Sequence, residues 1–155
     1  MRTQHLLLGT ALLLATSCRS TASDVAEVRQ LIDRQQAAWN AGDVERFMRL
    51  GYWESNELTF FSGGDVVRGF DAMLQRYMKS YKQGGAETGE LAFADVVVTP
   101  LGGDHAFARG HWFVDFAKKT DQGGLFTLVF ERRSEGWRVI HDHTSVEAPN
   151  PGKVQ

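Results

Sequence analysis

The sequence is poor in cysteine, in proline and in excess charge of either sign. Its 155 residues contain one cysteine and three prolines, and 17 Lys and Arg stand against 19 Asp and Glu, for a formal net charge of -2. A single cysteine excludes an intrachain disulfide framework and a zinc site built on several thiolates. Without a basic excess there is little to neutralise a phosphate backbone, so we predict no nucleic-acid partner.

The sequence also lacks an apolar run long enough to span a bilayer. The run Leu6–Ala15 is of signal-peptide length, follows the positive charge of Arg2, and ends in small residues directly before Cys18. This arrangement resembles a bacterial lipoprotein signal. It implies a signal peptide over 1–17, a lipid on Cys18, and an anchored protein of the cell envelope, on the periplasmic side of the outer membrane. The alternative is an ordinary secretory signal and a soluble periplasmic or secreted protein.

The rest of the chain predicts one domain over residues 24–147, between a polar tether at 18–23 and a polar, flexible tail at 148–155. Hydrophobic residues make up 43% of the sequence, which is enough for one substantial core. Apolar spacing of three and four residues predicts a helix from Asp24 to Ala41, with Ser23 as its N-cap. A short second helix follows Asp43, and a third begins after Gly69.

Strand-like alternation dominates the second half. A short hairpin is predicted over 58–68, before the third helix, and four longer strands follow it. Short turns between the four favour an antiparallel meander. Helices followed by a meander indicate an α+β fold, with the three helices packed on one face of a curved sheet. The four runs are Leu91–Thr99, His105–Phe116, Leu125–Arg133 and Trp137–Val146.

Three segments carry a resemblance to a known family. They are residues 38–43 (AWNAGD), the hairpin Ser62-Gly63-Gly64 with Arg68-Gly69, and residues 136–145 (GWRVIHDHTS). Together they resemble the SnoaL-like and domain-of-unknown-function branches of the nuclear transport factor 2-like superfamily. The last segment is also similar to the association domain of calcium/calmodulin-dependent kinase. The resemblance implies a cystatin-like cone with a pocket at its open end, and a homodimer formed through the outer face of the sheet.

The resemblance also suggests pocket residues. Tyr52 and Trp53 fall where the cavity of this superfamily opens. By similarity to the kinase domain, Arg109, His111 and Phe113 are expected to point inward, which places Trp112 and Val114 on the outer face.

Strand alternation in the last run puts Asp142 and Thr144 on one face, together with Ile140. We take that face as the pocket side. His111 and Asp142 then form a candidate catalytic pair of base and orienting carboxylate. Arg109 with Asp142 is either a buried pair that closes the core or a pair that orients a polar ligand.

His141 and His143 share the opposite face of the last strand, at a spacing that can bind zinc. A metal site needs a third ligand, for which the nearest candidates are His111, Asp115 and Glu131. Structural hydrogen bonding or a dimer contact is the favoured alternative, so no metal and no cofactor is predicted.

Three functions stay open at this point. The leading hypothesis is an envelope-anchored domain that binds a small, largely apolar molecule. The second is a lyase or isomerase that transfers protons with His111 and Asp142. The third is a dimeric assembly module without catalysis.

Overall fold

A computed structural model describes residues 21–147 of the chain. The predicted signal peptide, Cys18 and the tail at 148–155 lie outside these residues. Three α-helices and six strands follow one another as α1, α2, β1, β2, α3 and then β3 to β6. Their bounds are α1 Thr21–Asn40, α2 Val44–Gly51, β1 Thr59–Ser62, β2 Asp65–Arg68, α3 Phe70–Tyr81, β3 Glu90–Pro100, β4 His105–Asp115, β5 Gln122–Arg133 and β6 Gly136–Thr144.

The helices begin close to the predicted positions. Asp43 caps α2, since its side-chain oxygen accepts a hydrogen bond of 2.9 Å from the backbone N–H of Arg46. The prediction that Ser23 caps α1 is wrong, because the chain is already helical at Thr21, the first described residue, and residues 21–23 of the predicted tether belong to the helix. The Ser23 hydroxyl instead donates to Glu27, one turn further along the helix. Within residues 21–147, none of the helices combines the length and apolarity needed to cross a bilayer.

The six strands form one sheet in the order β2-β1-β6-β5-β4-β3. The predicted antiparallel meander is confirmed for β3 to β6. The sheet as a whole is mixed rather than antiparallel, because β1 pairs with β6 in parallel. The hairpin of β1 and β2 thereby extends the meander beyond its last strand. The pairing was not predictable from local pattern, since each residue lies 82 positions from its partner, as Thr59 does from His141.

The strand β6 contains a β-bulge at Ile140. Val129 of β5 lies opposite His141, and the next residue, Phe130, lies opposite Val139. Ile140 is therefore an extra residue, and the alternation of side chains reverses across it. As a result Val139 and Asp142 are both buried on the same face, and the prediction that Ile140 shares the face of Asp142 and Thr144 is wrong.

The helices cover one face of the sheet, which we call the inner face; the other is the outer face. On β4 the even-numbered residues, among them Ala108, Trp112 and Val114, are buried on the inner face. The expected inward orientation of Arg109, His111 and Phe113 is therefore wrong, as is the expected outward orientation of Trp112 and Val114. The reason is apolar burial, which places Trp112 and Val114 beneath the helices and leaves the polar Arg109 and His111 on the outer face.

Gly124 in β5 lies against the end of β6. A Cβ atom at this position would lie 2.0 Å from the carbonyl oxygen of Ser145, a backbone atom. The same carbonyl accepts a 3.0 Å hydrogen bond from the indole of Trp112. The absence of a side chain at 124 thus allows the end of β6 to close onto β5.

We predict that Gly124→Ala destabilises the domain by about 2 kcal/mol, because the added methyl group forces the two strands apart. Thermal unfolding followed by circular dichroism measures the effect. Gly103→Ala is the matched control, since a Cβ atom there meets nothing within 4 Å, and it should leave the melting temperature nearly unchanged. Equal melting temperatures for the two variants would contradict the strand contact.

Candidate functional site

A cavity of about 230 Å³ lies between the helices and the inner face of the sheet. Its inner wall is formed by side chains that are buried, and its mouth by the half-exposed or exposed residues Ser62, Arg76, Ser80, Gln122 and Val146. Most of the wall is aromatic. The aromatic lining residues are Trp39, Phe47, Tyr52, Phe60, Tyr77, Tyr81, Phe93, Trp112 and Phe126.

The aromatic rings brace one another around the cavity. Trp39 meets Phe47 and Tyr81 edge to face, with ring centroids 5.2 and 4.6 Å apart. Tyr77 stacks on Phe47 at 5.9 Å. Contacts of this geometry add to the stabilisation from burial alone. The rings therefore form a preformed wall suited to a flat apolar molecule.

Asp142 supplies a carboxyl group to this apolar cavity. Its side chain is only 2% exposed. The Tyr52 hydroxyl donates a hydrogen bond of 2.7 Å to its Oδ2, and the Thr144 hydroxyl donates one of 2.7 Å to its Oδ1. The backbone explains why these three meet: Tyr52 forms a bridge to β6 beside Val139, two residues before the bulge ends at His141.

Burial controls the protonation of this cluster. Loss of hydration raises the pKa of Asp142 to about 6, against the opposing hydrogen bonds from Thr144 and Tyr52. Burial and the nearby Asp142 charge also raise the pKa of Tyr52 and of Tyr77 well above the usual value for a phenol. Both phenols are thus protonated and can donate hydrogen bonds at neutral pH, whereas Asp142 changes its protonation state near pH 6.

The structure brings three of the predicted site residues together in the cavity, namely Tyr52, Asp142 and Thr144. A buried carboxyl group that titrates near neutrality, with hydroxyl donors beside it, can accept a proton from a bound molecule or give one to it. The same cluster can simply bind a hydroxyl or carbonyl group of a ligand.

His111 does not join Asp142, so the proposed catalytic pair is wrong. Its side chain lies on the outer face of β4, with Nδ1 3.5 Å from a carboxylate oxygen of Asp95 and its ring stacked on Phe113 at 6.1 Å. Arg109 is exposed on the same outer face. The predicted pair of Arg109 with Asp142 therefore does not form, either to close the core or to orient a ligand, because the sheet separates the two side chains.

Trp53 also lies outside the cavity lining. The guanidinium carbon of Arg133 lies 3.9 Å from the centre of the Trp53 ring, and the backbone N–H of Trp53 donates a hydrogen bond to the carbonyl of Val139. Trp53 therefore fixes the chain beside β6 and orients its neighbour Tyr52. Its side chain has a packing role rather than a place in the pocket.

His141 and His143 face outward, as strand alternation predicted. The imidazole Nδ1 of His141 is 2.7 Å from the Thr59 hydroxyl, and the ring of Phe61 contacts both histidines edge to face. Burial lowers the pKa of His141. In the described part of the chain, no three His, Cys, Asp or Glu side chains are grouped so that they could hold a metal ion.

Arg76 is the main cavity residue that the sequence analysis missed. It lies at the mouth, pairs with Asp65 at 2.9 Å, and places its guanidinium carbon 5.6 Å above the ring of Phe60. A signal was present in the sequence: Arg76 follows the apolar Met73 by three residues, which puts both on neighbouring positions of one face of the predicted third helix.

The fold and cavity define the class of protein. A mixed sheet with three helices on one face and an aromatic cavity between them is the cystatin-like architecture of the nuclear transport factor 2-like superfamily. The model of the SnoaL-like domain family matches residues 28–149, and the chain belongs to that family.

Solved structures support the assignment. A nuclear transport factor 2-like protein of unknown function from Shewanella oneidensis MR-1 is 32% identical, with a TM-score of 0.72, over 79% of this chain and 98% of that one. A superfamily member from Salmonella enterica is 18% identical, with a TM-score of 0.70, over 88% and 100% of the two chains. A cystatin-like fold protein from Burkholderia xenovorans is 21% identical, with a TM-score of 0.65, over 84% and 96%. No curated protein matches the sequence.

We predict that the ionisation of Asp142 destabilises the folded domain as the pH rises. Its pKa is about 6 in the folded protein and near the ordinary 3.8 in the unfolded chain, so the folded state binds more protons between these values. The resulting stability is complete below about pH 4 and is lost as the pH rises through 6, by up to about 3 kcal/mol.

Urea unfolding of wild type and Asp142→Asn at several pH values measures this effect. The free energy of unfolding of the variant should improve relative to wild type as the pH rises from about 4 to about 7.5. Asp115→Asn, at an exposed position of the outer face, should differ from wild type by a constant amount. A pH-independent difference for Asp142→Asn would show that the folded pKa of this group is not raised.

Proposed function

We propose that the protein binds a small, largely apolar molecule in the cavity, where Asp142, Tyr52 and Thr144 hold the polar group of that molecule. The observation that carries this proposal is the burial of the Asp142 carboxyl group in a cavity with mainly aromatic walls. A buried ionisable group is costly unless it is paired. A site with few polar groups and many rings is typical of small-molecule binding.

The dimensions favour a small ligand. A volume of about 230 Å³ is below the range usual for drug-sized ligands. The aromatic wall, in which Phe47 and Tyr77 stack, suits a flat body of one or two fused rings. The cluster around Asp142 then accepts a hydroxyl proton or, when Asp142 is protonated, donates to a carbonyl oxygen.

The proposal includes the setting of the domain. A lipid on Cys18 would hold the protein in the bacterial cell envelope. A second copy would cover the outer face, where Val97, Phe113 and Leu125 are 41, 39 and 52% exposed. Exposed apolar side chains grouped on one sheet face support such a contact. Both statements rest on sequence pattern and exposure.

We predict that the full chain, extracted gently and examined by native mass spectrometry, carries a small molecule that is released on denaturation. It should also bind 2-naphthol saturably in calorimetric titration. Ser80→Trp, at the mouth, should block both kinds of binding because the indole fills the entrance. Lys79→Trp is the matched control, since the neighbouring residue is exposed and does not line the cavity. Absence of both the released mass and 2-naphthol binding would overturn the proposal.

The same spectra test the setting. The expected species is a dimer that Leu125→Lys converts to monomer, with each chain beginning at Cys18 and bearing the added mass of a lipid. An unmodified N-terminus, or cleavage after Ala22, would remove the anchor from the proposal. A monomeric wild type would remove the dimer.

Proton transfer in the cavity is the second candidate function, and the pKa of Asp142 near 6 is the observation that favours it. A base is most effective when its pKa lies near the working pH. Tyr52 replaces His111 as the partner of Asp142 in this mechanism, because its hydroxyl is bonded to the carboxylate. Asp142 would take a proton from carbon next to a carbonyl group, and the phenol of Tyr77 would stabilise the oxygen of the enolate.

We predict that the protein accelerates exchange of the acidic C–H protons of 2-tetralone in heavy water, followed by proton NMR. The rate should rise with pH through about 6 as Asp142 ionises, and Asp142→Asn should reduce it by about 10²-fold or more. Asp115→Asn should exchange like wild type. If Asp142→Asn retains the wild-type rate, Asp142 is not a base and the binding function alone stands.

A further inference from the structure

The cavity has two ends of different electrostatic character. Among its lining residues only Asp142 and Arg76 can carry a charge near neutral pH, because the pKa values of the lining tyrosines are raised. Asp142 is at the buried end, whereas Arg76 is at the mouth with 37% of its side chain exposed. The walls between them are mainly aromatic, so the cavity presents an acidic group inside and a cation outside.

The tyrosines mark the order of groups along the cavity. Burial raises the pKa of all three; the Asp142 charge adds to the rise for Tyr52 and Tyr77, and the Arg76 charge opposes it for Tyr77 and Tyr81. Tyr77 is therefore near both charged groups. Ring contacts agree, because Tyr77 is 5.9 Å from Tyr81, and both Tyr77 and Tyr52 contact Phe47.

The ion pair between Arg76 and Asp65 is weak enough for a ligand to replace Asp65. It pairs with Asp65 at 2.9 Å, and the Asp65 side chain is 67% exposed on the hairpin of β1 and β2. An ion pair this open to water contributes little to stability. Another carboxylate arriving from the cavity side can therefore share or replace Asp65 at small cost. The ring of Phe60, below the guanidinium, keeps the Arg76 side chain over the entrance.

We propose that the molecule bound in the cavity is a flat carboxylic acid, with its carboxylate at the mouth against Arg76 and its other polar group at Asp142. This inference rests on the proposed function, since it assigns a chemical class to the same ligand. One guanidinium matches one negative charge and binds a planar carboxylate through two parallel hydrogen bonds. Ser62 and Gln122, also at the mouth, add a hydroxyl and an amide donor.

The arrangement explains why the two charges do not neutralise each other. A cation beside Asp142 would lower the pKa of the carboxyl group, and burial is instead the leading influence on it. Separate ends allow the mouth to select an acid while the inner carboxyl group stays free to bind or to exchange a proton. The ligand, rather than the protein, then bridges the two groups.

The test compares 2-naphthoate with its neutral analogue 2-naphthamide in calorimetric titrations of the full chain near pH 7.5. Wild type should bind the carboxylate more tightly by about tenfold. Arg76→Met should abolish this preference, because it weakens binding of the carboxylate far more than binding of the amide. Binding of the amide that is still measurable shows that the cavity is intact. Arg76→Lys should restore part of the preference. Asp65→Asn should strengthen carboxylate binding by about threefold, because the competing partner is removed.

Arg49→Met is the matched control. Arg49 is likewise paired with acidic residues, Glu45 and Glu54, and its guanidinium carbon lies 5.5 Å above a ring, that of Phe70, but it does not line the cavity. Its variant should keep the wild-type preference. If both probes bind with equal affinity, or if Arg76→Met keeps the preference, the inference is overturned while the proposed function stands. If neither probe binds although 2-naphthol does, the inference alone is overturned. If 2-naphthol binding and a released molecule are absent as well, both are overturned.

Discussion

The site depends on a single extra residue in one strand. β6 must bury Trp137 and Val139 under the helices near its start and carry Asp142 and Thr144 into the cavity near its end. Strict alternation cannot do both, since an odd number of steps separates Val139 from Asp142. The bulge at Ile140 reverses the alternation between them. Without the bulge, either the core residues or the carboxyl group would face outward.

The same region explains why the parallel strand is needed. Beyond the bulge, β1 pairs with β6 so that Phe60 lies opposite Asp142, and the chain at Tyr52 bonds β6 just before it. Both segments lie along the same edge of β6, and Leu128 of β5 lies opposite Asp142 on the other edge, so the carboxyl group is enclosed from both sides. The segment 52–62 and β5 thus meet at β6 and form the inner end of the cavity, and the mouth is formed by the ends of the strands and by α3.

Much of the fold follows from local pattern, and the errors have definite physical causes. Helical spacing predicted all three helices, and alternation with short turns predicted the meander from β3 to β6. The parallel pairing of β1 with β6 is long-range and leaves no local signal. The bulge at Ile140 also leaves no signal in the sequence, because a single inserted residue does not change the composition of the strand.

The orientation of β4 is a different kind of error. Its own pattern was informative, since Ala106, Ala108, Trp112 and Val114 are apolar and alternate with Arg109 and His111. The inward orientation expected for Arg109 came from similarity to the kinase domain and conflicts with that pattern. Burial of the apolar side chains decides which face of β4 points inward, and the resemblance predicted the opposite face. Tyr52, Asp142 and Thr144 were correctly predicted to line the pocket, although the same prediction wrongly placed Ile140 on the face of Asp142 and Thr144.

Two buried aspartates in this domain show what distinguishes a structural carboxyl group from a chemical one. Asp24 is 4% exposed and forms an ion pair with Arg132, whose guanidinium also pairs with Glu27 and lies 4.2 Å above the ring of Trp137. The ion pair holds this carboxylate in place, and removing its partner would be strongly destabilising.

Asp142 is as deeply buried, but its carboxyl oxygens accept hydrogen bonds from two hydroxyl groups. Hydroxyls satisfy its oxygens without neutralising its charge, so burial dominates and the group can gain or lose a proton near neutral pH. A guanidinium thus pairs with Asp24, which joins α1 to the sheet. Asp142, which faces the cavity, has only hydroxyl groups as its side-chain partners among residues 21–147.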